Sequence, residues 1–257
     1  MTVEQKLNSQ VSQLALRLGD DRLVLGHRLS EWCGHAPILE EDIALANIAL
    51  DLIGEAQAFL NLAGELEGRG RDADKLTYFR DEREFTNLQL VEQPNGDFAD
   101  TLVKQYLFHA FSNVYLEGLE HSKHPQLAAL AAKSLKESRY HLRHTREWML
   151  RLGDGTEESH ARVQKALNQL WSFTGELFEA DEIDLELAKA QMAPDLAGLK
   201  SKWQEIVKAT LNEATLSEPD PKTFMQKGSR AGVHSEYLGH MLAEMQILPR
   251  SYPDAKW

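Results

Sequence analysis

Apolar residues recur at steps of three and four along most of this 257-residue chain, the period of a helix with one buried stripe. Residues 11–33 read as a first helix, with Leu14, Leu18, Val24, Leu25 and Leu29 toward a core. Pro37 closes the following turn. Residues 40–66 form a second, strongly apolar helix on Ile43, Ile48, Leu52, Phe59, Leu60 and Leu62. A polar, Gly-containing stretch at 64–75 and an apolar piece at 88–91 lead to the turn formers Gln93-Pro-Asn-Gly96. Residues 98–123 give a third long helix, and Pro125 starts a fourth that runs to Gly153-Asp-Gly155, a glycine stop. A fifth, at 157–180, carries Leu167, Leu170, Trp171, Phe173, Leu177 and Phe178. Two more follow at 195–216 and 229–248, separated by Pro219 and Pro221. No window alternates with period two. The expectation is an all-α single domain over 1–257, with a four-helix bundle core at about 8–152 and a helical elaboration at about 157–250.

Polar residues interrupt the core-facing stripes at matching depths. On the fourth helix Leu130, Ser134, Glu137, His141, His144 and Trp148 share one stripe. The third offers His109, Asn113, Glu117 and Glu120, the second Asn47, Asp51, Glu55 and Ala58, and the first Asp20, Val24, His27 and Glu31. Helical bundles hold metal with such carboxylates and imidazoles, the di-iron unit being Glu-x-x-His on each of two helices plus one Glu from each of the others. Here Glu137 meets Tyr140 at i+3, and the second helix has Gly54 and Ala58 where a histidine would stand. The pattern therefore favours a buried hydrogen-bonded and ionic network that holds the bundle in register.

Composition narrows the function classes. A net charge of −12 excludes a nucleic-acid surface, which needs clustered Lys and Arg. The single cysteine, Cys33, excludes an internal disulfide, fits a reducing compartment and reads as a buried structural thiol. The N-terminus lacks a signal-peptide pattern, and no uninterrupted apolar run approaches a membrane span of roughly 18 residues. A cytoplasmic protein is expected. Asp181-Glu-Ile-Asp-Leu-Glu186 lacks the glycine of a calcium loop and reads as a solvated helix end. Arg80-Asp-Glu-Arg-Glu-Phe-Thr-Asn87 mixes both charge signs with an aromatic and two hydrogen-bonding side chains. It suits a loop that touches a polar ligand or a partner, and equally a salt-bridged surface turn.

Several segments occur together in a characteristic order: Leu18-Gly-Asp, Glu31-Trp-Cys-Gly-His-Ala-Pro37, Leu45-Ala-Asn-Ile-Ala-Leu-Asp-Leu-Ile-Gly54, Arg80-Asp-Glu-Arg83, Leu90-Val-Glu-Gln-Pro-Asn-Gly96, Arg139-Tyr-His-Leu-Arg143, Phe178-Glu-Ala-Asp-Glu-Ile-Asp184, Asn212-Glu-Ala-Thr-Leu216 and Leu242-Ala-Glu-Met-Gln246. Over nearly the whole chain this resembles the C-subunit family (PaaC) of bacterial phenylacetyl-CoA epoxidases, which are multicomponent ring-1,2-monooxygenases. The resemblance implies a ferritin-like fold and a non-catalytic structural subunit, with no cofactor of its own. It implies as partners a di-iron catalytic A subunit, a small B subunit and a flavin and iron–sulfur reductase. It also implies acyl-CoA contacts at Glu84, Phe85, Thr86 and Asn87, and at Leu185, Glu186 and Leu187. The alternative is an active di-iron oxidase or oxygenase in its own right, which the missing imidazole on the second helix disfavours.

Overall fold

Helices start where the sequence supplies a side-chain oxygen for the orphan N–H groups of a first turn. Thr2, Asp97, Thr156, Asp181 and Asp195 each accept from a backbone N–H one turn inside their helix. A computed structural model describes residues 2–255, and no β-strand occurs among them. The long helices are α1 (Val3–Ser30), α2 (Leu39–Glu67), α5 (Phe98–Leu119) and α6 (Pro125–Gly153). The crossover from α2 to α5 carries α3 (Ala73–Tyr78) and α4 (Gln89–Glu92). After the bundle come α7 (Glu157–Leu170), α8 (Glu182–Lys189), α9 (Leu196–Glu213) and α10 (Glu236–Ser251).

Two antiparallel hairpins, α1/α2 and α5/α6, pack face to face. Cross-links fix their directions. Asp51 meets His141 and Glu65 meets Gln126, so α2 and α6 run antiparallel. Trp32 reaches Thr101 while Arg22 reaches Ser112, so α1 and α5 are also antiparallel. The long crossover thus leaves α2 and α5 parallel. In the elaboration α7 and α9 cover α5 and α6, α8 lies on α1, and α10 packs on α3. As a result α5 is enclosed on all sides and its residues 101–116 are buried throughout.

The apolar stripe of α1 is as expected, with Leu14, Leu18, Val24, Leu25 and Leu29 all buried. Several other expectations need correction. Ile43 is not core but 53% exposed, on the outward face of α2. Helix α7 ends at Leu170, and 171–178 are two 3-10 turns instead of continued α-helix. Helix α10 begins only at Glu236, because Gly228 and Gly232, at φ +102° and +79°, bracket a separate 3-10 turn. Gly153 stops α6 by close approach, since a Cβ there would clash with the Ala214 carbonyl. Cys33 is exposed rather than buried. Residues 181–186 are no solvated end, because Asp184 is buried against Arg17 and α8 continues to Lys189. Finally, α2 is by length and composition apolar enough to cross a membrane, but it pairs with α1 along its length.

Candidate functional site

The polar stripes of α2, α5 and α6 do converge, and their centre is held by an arginine. Arg22 occupies a core position in the step Leu18–Arg22–Leu25–Leu29, and its side chain is buried. Its guanidinium donates to Glu55 on α2, to the Leu18 carbonyl at 3.1 Å and to Ser112 on α5 at 3.2 Å, and stacks 5.0 Å from the Phe59 ring. Around this pair, His141 faces Asp51 at 3.0 Å and His144 faces Glu41 at 3.0 Å. Asn113 donates to the Ser138 carbonyl at 2.8 Å, and the His109 and His141 rings lie 4.9 Å apart. Burial lowers the pKa of His141 despite its bond to Asp51. Burial first, then the neighbouring His141 and Arg22, lowers that of His109 well below the ordinary histidine value. Burial and the neighbouring Glu55 and Asp51 raise that of Glu137.

These residues do not fit a di-iron centre. Of the α2 carboxylates, Glu55 is engaged by Arg22 and Asp51 by His141, and α2 brings no imidazole. A fixed guanidinium lies against Glu55, the α2 carboxylate that would have to serve as a metal ligand. Nor do all the polar residues of α1 face this centre: Asp20 points away from it, toward the crossover, and pairs there with Arg80.

That crossover holds the second cluster, residues 84–87, whose backbone is fixed at nearly every polar atom. Arg80 donates to the Glu84 carbonyl at 3.0 Å, His234 Nε2 to the Phe85 carbonyl at 2.8 Å, and Arg230 to the Thr86 carbonyl. Asp20 accepts from both the N–H and the hydroxyl of Thr86 at 2.9 Å, and Asp21 accepts from the Leu88 N–H at 2.8 Å. The sequence points to the Phe85 ring and the Asn87 amide as ligand-facing. The structure turns both inward. Phe85 is fully buried beneath the Arg80 guanidinium, 4.1 Å from its ring, and the buried Asn87 amide donates to Glu92 at 3.2 Å. Glu84 is exposed and Thr86 half-buried.

The other expected segment lies on the same flank of α1, farther toward its N-terminus. Glu186 accepts from Lys6 at 2.6 Å and from Gln10, Leu185 is 58% exposed, and Leu187 is buried. Between the two segments Arg17, Tyr115, Glu176, Asp184 and Arg230 line a cleft of only about 20 Å³. Ligand pockets hold roughly 300–1,000 Å³. A cavity of about 300 Å³ does exist, but it lies between α1 and the end of α2, beside Ser12, Arg69 and Arg71, and touches none of these seven residues. The segments are therefore brought to one side of the molecule without enclosing a ligand themselves. Arg22, Arg230 and His234 are the residues that sequence reasoning misses. Only Arg22 carries a signal, as a charge in a leucine register.

The whole chain, residues 1–257, matches the family described as Phenylacetic acid catabolic protein. Among curated relatives, the C subunit of the 1,2-phenylacetyl-CoA epoxidase of Escherichia coli (strain K12) is 52% identical over 249 residues, covering 97% of this chain and 100% of that protein. The all-helical architecture, strand-free among the described residues, is the ferritin-like fold of that family. The chain belongs to the phenylacetic acid catabolic protein family.

Proposed function

We propose that this chain is a non-catalytic structural subunit of a cytoplasmic phenylacetyl-CoA epoxidase. In this reading it docks on the di-iron catalytic A subunit, with the B subunit and the reductase completing the system, and carries no cofactor of its own. The observation that carries it is the outward face of α2. Leu39, Ile43, Leu50 and Ile53 are 71%, 53%, 67% and 38% exposed, with Ile38 just before the helix and Tyr140 exposed on α6. An apolar stripe of this length on a helix is what a partner helix covers, and obligate interfaces of this kind bury roughly 2,000 Å² or more. The Arg22–Glu55 pair supports the same reading, since it leaves this bundle a structural centre. Exposed Glu84 and Leu185 mark where the chain reaches the acyl-CoA bound in its partner's cleft.

Two measurements test this. The chain is co-purified with the A subunit, and iron is measured in the chain alone and in the complex. Expected is a stable complex whose iron follows the A subunit; near-stoichiometric iron in the isolated chain overturns the reading. Calorimetric titration of the complex with phenylacetyl-CoA then compares wild type with Glu84→Ala and Leu185→Ala. Weaker binding is expected, and an unchanged dissociation constant in both variants removes the ligand contact.

A further inference from the structure

The cation that holds Phe85 differs from the two that flank it. Arg80 and Arg230 stay charged at any ordinary pH, whereas His234 titrates. His234 Nε2 lies 2.8 Å from the Phe85 carbonyl and its Nδ1 lies 3.2 Å from Glu92 Oε2. A carbonyl oxygen only accepts. Glu92 also receives the Ser235 N–H at 2.8 Å and the Asn87 amide at 3.2 Å, so its two oxygens face donors alone and it stands as a carboxylate. Both ring nitrogens must therefore donate. We propose that His234 is held as an imidazolium that positions the Glu84–Asn87 segment, so that losing one proton releases either the Phe85 carbonyl or Glu92.

Both side chains of the pair are buried, so water replaces neither bond readily. The charged groups nearby are Glu92 from α4, Glu82 from the preceding 3-10 turn, Arg28 from α1, which donates to the Glu92 carbonyl, and Arg230 from the 3-10 turn after Gly228. Burial opposes the charge on His234, but the bonds to Glu92 and to the Phe85 carbonyl outweigh it, and the net direction is upward. Gly232 keeps the segment 228–235 close to the crossover, since a Cβ there would clash with the Arg83 carbonyl. Above its pKa His234 can serve only one of its two acceptors, and the backbone around Phe85 loosens.

The inference rests on the acyl-CoA role only for its use; the clamp itself is measured without ligand. The full chain, labelled at histidine, is titrated by NMR, and amide exchange of Thr86 and Leu88 is followed from pH 5.5 to 8.5. Expected are a His234 pKa above 6.5 and a fall in protection of about tenfold through it, the loss of one charge-assisted bond. His234→Gln, which donates at any pH, is expected to lose that pH dependence while keeping its fold. A His234 pKa below 6.5, or the same pH-dependent protection in His234→Gln, overturns the assignment. Titration of the complex with phenylacetyl-CoA adds a separate readout. Weakening above the His234 pKa in wild type but not in His234→Gln ties the clamp to the ligand. Unchanged affinity in Glu84→Ala and Leu185→Ala removes the ligand role and leaves the clamp's titration as measured.

Discussion

Arg22 stands where the chain otherwise places leucine, and its removal strands a carboxylate. Arg22→Ala leaves Glu55 buried without its cation, which costs about 3–5 kcal/mol. Glu55→Gln in the Arg22→Met background removes the second charge as well and is expected to recover most of that loss. Urea unfolding of the two variants decides it; equal destabilisation means that the two charges do not act as a pair. Phe85→Ala belongs in the same class. Its ring is fully buried, so truncation costs about 3–5 kcal/mol and is a poor probe of ligand contact. Sequence reasoning singles out the segment at 84–87 but does not reveal that Phe85 and Asn87 turn inward. An irregular crossover has no helical period, so nothing in Glu-Phe-Thr-Asn says which side chain turns inward. That orientation is imposed from a distance, by Asp20 on α1 and by Arg230 and His234 near the other end of the chain.

Helices with one apolar stripe are legible in the sequence, and helices with two are not. In α1 the expected core positions hold, because polar residues fill the intervening turns until the crossover covers them. In α2 both faces are apolar, so periodicity alone assigns Ile43 to this chain's own core. The outward face is expected to act only between subunits. Leu50→Glu, in an exposed position, changes the stability of the isolated chain by no more than about 0.5 kcal/mol but breaks co-elution with the A subunit. Thermal unfolding and size-exclusion chromatography together check it; normal co-elution would move the interface elsewhere. The early end of α7 is not legible either, since Trp171, Phe173, Leu177 and Phe178 keep an apolar spacing through two 3-10 turns. The aromatic packing of Trp171 and Phe178 on Trp203 accommodates those turns.

Lys104 gives the molecule a second pH dependence. It is fully buried, donating to the Gln93 carbonyl at 2.7 Å and to the Asn95 side chain at 3.1 Å. Burial, with the Arg28 charge beside it, lowers its pKa to about 7. Unfolded, the amine keeps a pKa near 10.5, so between these values the unfolded chain binds the extra proton. The penalty is complete below about pH 7 and fades as pH rises toward 10.5. His234 acts with the opposite sign: its stabilisation is present below about pH 6.5 and is lost as pH rises through its elevated pKa. Between pH 7 and pH 9 wild type should therefore gain about 2 kcal/mol relative to Lys104→Met. Denaturant unfolding at both pH values reads this difference, and parallel behaviour of the two proteins would show that Lys104 stays charged.

The charges along α1 bear on how the chain is made. Arg17 waits for Asp181 and Asp184, and Asp21 for Arg230. These partners lie up to 209 residues downstream. While the ribosome is still adding α7 to α10, α1 holds charges whose counterparts do not yet exist. Burying it early would cost several kcal/mol per ion, so the nascent bundle is expected to stay open until residues 181–230 arrive. A chain ending at Gly153, with all four bundle helices but none of these late partners, is therefore expected to lack cooperative unfolding by calorimetry. A sharp transition in that fragment would show that the bundle closes without waiting.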